Sequence, residues 1–273
     1  MIPAAFDYVR ADSVDGLLAA LTEHGDDAKI LAGGMSLLPL MKLRLAVPSV
    51  LVDAGRLSDL RYVRDGGDHV AVGALTRHRD LETNDLLAAE CGVVRAVAAE
   101  VGDNQVRHRG TIGGSVAHGD PASDLPAVLL ALDADFVIRG ASGERVVAAT
   151  DFFTGFLETA IAPDELLTEI RLPKTGANNF SYQKFNRRAQ DWAIVGAVAL
   201  KANGTTRVGL VNMGATPLRA AGVEAALAGG ASATDASNAA ADDTEPSADI
   251  NASTEYRAHL ARVLTRRALE AIS

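Results

Sequence analysis

The chain has 273 residues, 48% of them hydrophobic, enough to bury a sizeable core and to divide into two domains. A formal net charge of −9 excludes a general binder of nucleic acid or anionic membrane, because neutralising phosphates needs clustered Lys and Arg. The single cysteine, Cys91, excludes an intrachain disulfide and a cysteine-held zinc or iron–sulfur site. His24, His69, His78, His108, His118 and His259 lack the paired spacing of a protein-held metal. Any redox chemistry must therefore come from an organic cofactor. With no signal-peptide pattern and no apolar span of bilayer length, a cytoplasmic chain is expected.

In chain order, "SVDGLLAALTEHGDDAKILAGG" predicts a capped amphipathic helix with Leu17, Leu18 and Leu21 on one face, then a short buried strand ending at Gly33 and Gly34. The following "MSLLPLMKLRLA" predicts a helix with Ser36 as N-cap and Pro39 in the first turn, where a missing N–H costs nothing; its "MKLRLA" run reads as a half-exposed face. A strand, a link and a hairpin turning at Gly66-Gly67 come next. "DLLAAECGVVRAVAAEVG" has continuous helical periodicity, with Cys91 as a small core residue and Gly102 as the C-terminal cap. "ADFVIRGASGERVVAAT" predicts a hairpin turning at Ser142-Gly143, and "DELLTEIRLP" a strand that Pro173 terminates.

Beyond a boundary near Gly176 the pattern alternates like an antiparallel sheet, with a hairpin turn at Asn203-Gly204. Residues 229–253 are small, polar and low in complexity, which predicts a long loop or weakly ordered linker. Ser253 begins a closing helix with Leu260, Val263, Leu264 and Leu269 inward. The elements together predict an α+β chain of two domains.

Two glycine clusters carry the chemistry. A strand, a glycine turn and a helix start at Gly33-Gly34 present bare amides and a helix dipole that favours an anion by about 0.3–1 kcal/mol, though a plain tight turn has the same sequence signature. The second cluster places Gly110, Gly113, Gly114 and Gly119 in one loop with Thr111, Ser115, Asp120, Ser123 and Asp124. Two such loops suggest one shared ligand, with amides of both around a pyrophosphate and hydroxyl or carboxylate groups on sugar or ribityl hydroxyls. Neither loop matches GxGxxG or GxxxxGK[ST], which argues against a Rossmann NAD domain and a P-loop kinase.

Together, "AGGMSLLPLMKLRLA" and "RGTIGGSVAHGDPASDLPA" resemble the two FAD-pyrophosphate loops of the FAD-binding medium subunits of the molybdenum hydroxylase (xanthine dehydrogenase) family, those of aerobic carbon monoxide dehydrogenase in particular. The resemblance extends to the opening "MIPAAFDYVRADSVDGLLAAL", to "DELLTEIRLP", "QKFNRRAQDWAIVGAVAL" and "NMGATPLRA", and to the last helix. It implies a two-part FAD-binding domain of the PCMH type at residues 1–175, with subdomains 1–57 and 58–175, and a smaller C-terminal domain with an antiparallel sheet and helices at 176–273. It further implies that Ala32, Gly33, Gly34, Met35 and Ser36, with Thr111, Ile112, Gly113, Gly114 and Ser115, surround the pyrophosphate. Asp124 would bind a ribose or ribityl hydroxyl, Lys184 would approach the isoalloxazine, and Trp192 would shield one face of the ring. Met35 stands where relatives commonly place His or Gln. More ordinary roles stay open: Asp124 as a helix cap, Lys184 as a solvated strand residue, Trp192 as a core aromatic.

The same resemblance implies partners. Substrate would be oxidised at a molybdopterin cofactor on a large subunit, and electrons would pass through [2Fe-2S] clusters on a small subunit to FAD on this chain and then to an acceptor such as membrane quinone. The expected assembly is a dimer of heterotrimers, a heterohexamer, in which this chain contributes no catalytic acid or base, no metal ligand and no membrane anchor. Association with the inner face of the membrane would come through the complex. Carbon monoxide is the substrate the loops imply, with nicotine-type and other N-heterocycles and aldehydes as alternatives. Two other classes fit the residues: a self-sufficient FAD reductase or oxidase of the same fold, and a non-redox binding module whose glycines only make turns. Flavin colour separates the last from the others.

Overall fold

In the computed structural model, which describes residues 2–202 and 204–272, the first layer is a parallel sheet. Its strands are β1 (Asp7–Arg10), β2 (Ala28–Leu31) and β3 (Val50–Asp53), in the order β1-β3-β2. Parallel neighbours need crossovers. Helix α1 (Val14–His24) supplies one, started by Ser13, whose hydroxyl accepts the Gly16 amide, and it buries Leu17, Leu18 and Leu21. Helix α2 (Leu37–Lys42) and the segment after it supply the other, so the chain must turn sharply between β2 and α2.

A five-stranded sheet follows, in the order β4-β5-β10-β6-β7. β4 (Val63–Asp65) and β5 (His69–Gly73) form the hairpin expected at Gly66-Gly67, with Gly67 at φ +93°. β6 (Asp135–Gly140) and β7 (Gly143–Ala148) form the second expected hairpin, its turn at Ala141-Ser142, one residue before the expected Ser142-Gly143, because Gly143 pairs with Gly140. β8 (Phe153–Gly155) and β9 (Glu158–Thr159) make a small ribbon, and β10 (Leu166–Pro173) ends at Pro173 as predicted and lies in the middle of the sheet. The helices between β5 and β6 are α3 (His78–Glu82), α4 (Asp85–Glu90), α5 (Gly92–Ala99), α6 (Asn104–Arg109), α7 (Ile112–His118) and α8 (Asp124–Ala131); α9 (Ala149–Phe152) follows β7.

The single helix expected over residues 85–102 is two. The backbone breaks at Cys91 (φ −151°, ψ 61°), and the second helix ends at Ala99 rather than at a Gly102 cap. The cause is long-range: the chain leaving β10 returns here, the amides of Thr175 and Gly176 donate to the Glu90 carbonyl, and the Gly92 amide donates to the Gly176 carbonyl. A Cβ on Gly92 would overlap the Ala177 carbonyl oxygen. Cys91 is fully buried, as its reading as a core residue requires, and burial pushes its thiol up to about 11.

The last layer is an antiparallel sheet of β11 (Phe180–Phe185), β12 (Val195–Ala202), β13 (Thr205–Val211) and β14 (Leu218–Arg219). Asn203, half of the expected β12–β13 turn, lies outside the described residues; Gly204 has φ +76°. Helices α10 (Ala221–Ala228), α11 (Ala233–Ser237) and α12 (Thr254–Ala271) cover one face. Every residue of α8 is buried, and Val198 and Leu200 of this sheet join the core of the preceding layer, so α8 ties the two parts together. The expected linker over 229–253 is ordered instead: Ala236 and Ala240 pack fully buried against Ala261 and Leu264 of α12. Ser253 caps α12 as expected, and Leu260, Leu264 and Leu269 face inward, with Val263 half-buried. No helix among the described residues is long and apolar enough to cross a membrane.

Candidate functional site

The first glycine loop leaves β2 at Leu31 and turns at Gly34, whose φ of +73° is strained for any other residue. Helix α2 then begins with Leu38 donating to the Gly34 carbonyl at 3.1 Å. The expected Ser36 cap is absent. That residue has helical backbone (φ −101°, ψ −50°) and its hydroxyl makes no capping bond, because the turn itself closes the helix start. Among the described residues, the amides of residues 33–37 donate to no protein acceptor. A left-handed residue beside a helical turn with consecutive free amides is an anion-binding nest.

The second loop is built differently. Thr111 pairs with Arg77 across from it and caps α7, its hydroxyl accepting the Gly114 amide at 3.1 Å. The Ile112 amide donates to Thr76, the Gly113 amide to Ala74, and the Ser115 amide to Thr111. The amides of residues 112–115 are thus all engaged within the protein, and the expectation of bare amides on both loops holds for the first loop only. Thr111, Ile112 and Gly113 are buried; Gly114 and Ser115 reach the surface. The hydroxyls of Ser36 and Ser115 have no partner among the described residues.

The two loops touch. A Cβ on Gly33 would overlap the Arg109 carbonyl oxygen and lie 2.8 Å from the Gly110 Cα, while one on Gly114 would lie 3.9 Å from the Ala32 Cβ. Gly33 therefore lacks a side chain because the second loop's backbone occupies that space, and Gly113 because Ala74 does, at 2.5 Å. Met35 is 36% exposed at the rim.

Asp124 and Lys184 are brought together rather than left separately on the surface. Lys184 Nζ donates to Asp124 Oδ2 and to the Glu100 carbonyl, both at 2.9 Å, and the Tyr182 hydroxyl donates to Asp124 Oδ1 at 2.5 Å. Both charged side chains are over nine-tenths buried. Asp124 does not cap α8, where Ser123 holds the cap position without a side-chain bond, and Lys184 is not a solvated strand residue. Burial pushes the Asp124 carboxyl up, against the pull of Lys184 and Tyr182, and the Tyr182 phenol is driven well above its usual range. Trp192 is 51% exposed on the loop between β11 and β12, so it is no core aromatic.

Three participants went unread in the sequence. Tyr182 shares a strand with Lys184 at the spacing that places both on one face, a signal that alternation offers. Arg77 and Arg109 flank the second loop, and neither guanidinium has a carboxylate partner among the described residues; the runs "TRHR" and "VRHRG" are their only sequence traces.

His78 supports that loop from below, its amide donating to the Gly110 carbonyl at 3.0 Å. Its imidazole is 3% exposed, its Nδ1 has no partner, and burial, then the nearby Arg107, lowers its pKa to about 4. The unfolded chain binds this proton near pH 6.5 and the folded chain does not, so the stability present above 6.5 is lost as pH falls toward 4, by about 3 kcal/mol. Urea midpoints between pH 7 and 4 are expected to drop accordingly, and His78→Gln to remove that part of the slope. A flat profile in the unsubstituted chain would mean that the ring takes up its proton in place.

The comparisons with known proteins show the family. The family model described as "FAD binding domain in molybdopterin dehydrogenase" matches residues 4–175, and "CO dehydrogenase flavoprotein C-terminal domain" matches residues 180–272. The chain therefore belongs to the family of FAD-binding medium subunits of molybdenum hydroxylases. It is a flavoprotein subunit of a molybdenum-containing oxidoreductase, with FAD as its own cofactor. It is 40% identical to the carbon monoxide dehydrogenase medium chain of Hydrogenophaga pseudoflava over 99% of this chain and 98% of that one. It is also 37% identical to the 6-hydroxypseudooxynicotine dehydrogenase complex subunit alpha of Paenarthrobacter nicotinovorans, over 98% and 95%. A solved carbon monoxide dehydrogenase of Hydrogenophaga pseudoflava, lacking the Mo-pyranopterin moiety of its molybdenum cofactor, superposes with a TM-score of 0.95 at 41% identity, covering 100% of this chain and 98% of that one.

Proposed function

We propose that this chain is the electron outlet of a heterotrimeric molybdenum hydroxylase, taking electrons from [2Fe-2S] clusters of a small subunit and delivering them to an acceptor such as quinone. The observation that carries the reading is the run of free amides at residues 33–37, turned by Gly34 and closed by the second loop. Its donors fit a pyrophosphate: consecutive N–H groups, the hydroxyls of Ser36 and Ser115, unbonded among the described residues, and the guanidinium groups of Arg77 and Arg109, without carboxylate partners among them. Ala32, Gly33, Gly34, Met35 and Ser36 form the cradle. Thr111, Ile112, Gly113, Gly114 and Ser115 form its opposite wall, contributing shape and the Ser115 hydroxyl rather than amides. Asp124, paired with Lys184, accepts from a ribose or ribityl hydroxyl, Lys184 lies toward the ring, and Trp192 covers one of its faces. FAD, when bound, would supply the step between the one-electron clusters of the small subunit and the two-electron chemistry of the acceptor.

The domains implied are 1–175, with subdomains 1–57 and 58–175, and 176–273. The partners are a large molybdenum subunit and a small iron–sulfur subunit in a dimer of heterotrimers. Carbon monoxide is the favoured substrate, since two curated carbon monoxide dehydrogenase medium chains match at 40% and 42% identity over nearly the full length. N-heterocycles and aldehydes are the alternatives, and the complex would meet quinone at the inner face of the membrane. Reconstitution tests this. The chain with FAD alone should acquire flavin absorbance yet oxidise no substrate, and the flavin should bleach when carbon monoxide is added only if both partners are present. Turnover by the lone flavoprotein would overturn the proposal.

A further inference from the structure

The largest of the fully buried side chains among the described residues is charged. Arg257 of α12 is 2% exposed, a costly place for a guanidinium unless its donors are used for something that apolar packing cannot do. One nitrogen, Nη2, donates to Asp249 Oδ2 at 2.8 Å, and Nη1 donates to the Ile194 carbonyl; Nε has no partner among the described residues. Asp249 is itself fixed, accepting the amides of Asn251 and Ala252 at 2.8 and 3.0 Å. Asn212, at φ +61°, donates to the Ala193 carbonyl at 2.9 Å, and the Ile194 amide donates to the Phe185 carbonyl at 2.8 Å. The two residues after Trp192 are thus tied from α12, from the end of β13 and from β11, and Ala193 is fully buried while Trp192 is half exposed. A rigid root beneath an accessible ring is what stacking on a planar ligand requires, because ordering the ring at the moment of binding would cost affinity.

We infer that Arg257 is a positioning residue, whose buried guanidinium, steadied by Asp249, fixes the backbone that presents the Trp192 indole to the flavin. This rests on the proposed placement of Trp192 beside the ring. It also gives the 229–253 segment a task, since that segment carries Asp249 to the clamp.

Trp192 is the only tryptophan of the chain, so intrinsic fluorescence of the full-length protein reports this residue alone. In the apoprotein, Arg257→Met and the milder Asp249→Asn should each raise the acrylamide quenching constant of Trp192 about twofold, as a tethered loop becomes a mobile one. Leu264→Ala, which opens the same core without touching the clamp, should lower the urea midpoint and leave that constant unchanged. On titration with FAD, the two clamp variants should bind about tenfold more weakly and quench Trp192 less at saturation. Acrylamide quenching unchanged in both clamp variants, or raised equally in Leu264→Ala, would overturn the inference. Trp192 emission that FAD leaves untouched in the unsubstituted chain would instead overturn the placement of Trp192 at the flavin.

Discussion

Gly33→Ala should weaken FAD binding about 5- to 150-fold, the equivalent of the 1–3 kcal/mol that forcing a methyl into a packed site costs. The added carbon would overlap the Arg109 carbonyl oxygen and approach the Gly110 Cα to 2.8 Å, and both are backbone atoms with no rotamer to escape into. The loops must part, and the cradle formed by residues 33–37 loses its wall. Gly114→Ala should do less. Its carbon would meet the Thr111 hydroxyl at 2.8 Å, so the damage is a disturbed helix cap worth about 0.5–2 kcal/mol. Ser247→Ala, at an exposed position, is the control; Thr244, half-buried with its hydroxyl donating to the Ala241 carbonyl, is less suitable. Dissociation constants from fluorescence titration of each apoprotein, with circular dichroism to show that it is folded, decide the matter. Equal affinity in Gly33→Ala and the control would mean that contact between the loops does not shape the site.

Lys184→Met should destabilise the chain by about 3–5 kcal/mol at pH 7, because it strands a buried carboxylate. Asp124 would keep only the Tyr182 hydroxyl and lie at 7% side-chain exposure without a cation. The sign with pH follows from the direction of its shift: a carboxyl whose folded pKa is raised above its unfolded value favours the protonated folded form. The deficit of the variant should therefore shrink as pH falls toward 4 and grow as pH rises. Asp124→Leu combined with Lys184→Met should recover much of the loss, since removing both charges removes the penalty. Urea midpoints for the single and double variants measure this. A single variant within about 1 kcal/mol of the unsubstituted chain would place the pair among ordinary solvated ion pairs.

Local chemistry made much of this molecule legible. Ser13 and Ser253 cap their helices, Gly66-Gly67 turns its hairpin, the second hairpin turns within one residue of its expected place, and Pro173 ends its strand, because each acts within a few residues of itself. What escaped depends on distant partners. The break at Cys91 is imposed by the chain returning at Gly176, some 85 residues later, and periodicity within the helix carries no trace of it. Residues 229–253 look like a linker because Ala, Ser and Asp are read as loop formers, yet small residues are what let α11 lie close against α12. At the site, the glycines were legible as a place where side chains are excluded, but what excludes them was not. At Gly33 it is the other loop, and the second loop's amides are taken by Ala74, Thr76 and Thr111. The Asp124–Lys184 pair joins residues 60 apart, and nothing near Asp124, which reads locally as a helix cap, or Lys184, which reads as a solvated strand residue, points to the other.

The measurement that bears most directly on the site is the amide spectrum of ¹⁵N-labelled apoprotein titrated with FAD and, separately, with riboflavin. Five consecutive amides without acceptors should gain them from the pyrophosphate, so the resonances of residues 33–37 should shift downfield with FAD and stay near their free positions with riboflavin, while those of residues 112–115, already bonded, move less. FAD binding that leaves the amides of residues 33–37 unmoved would contradict the proposed cradle.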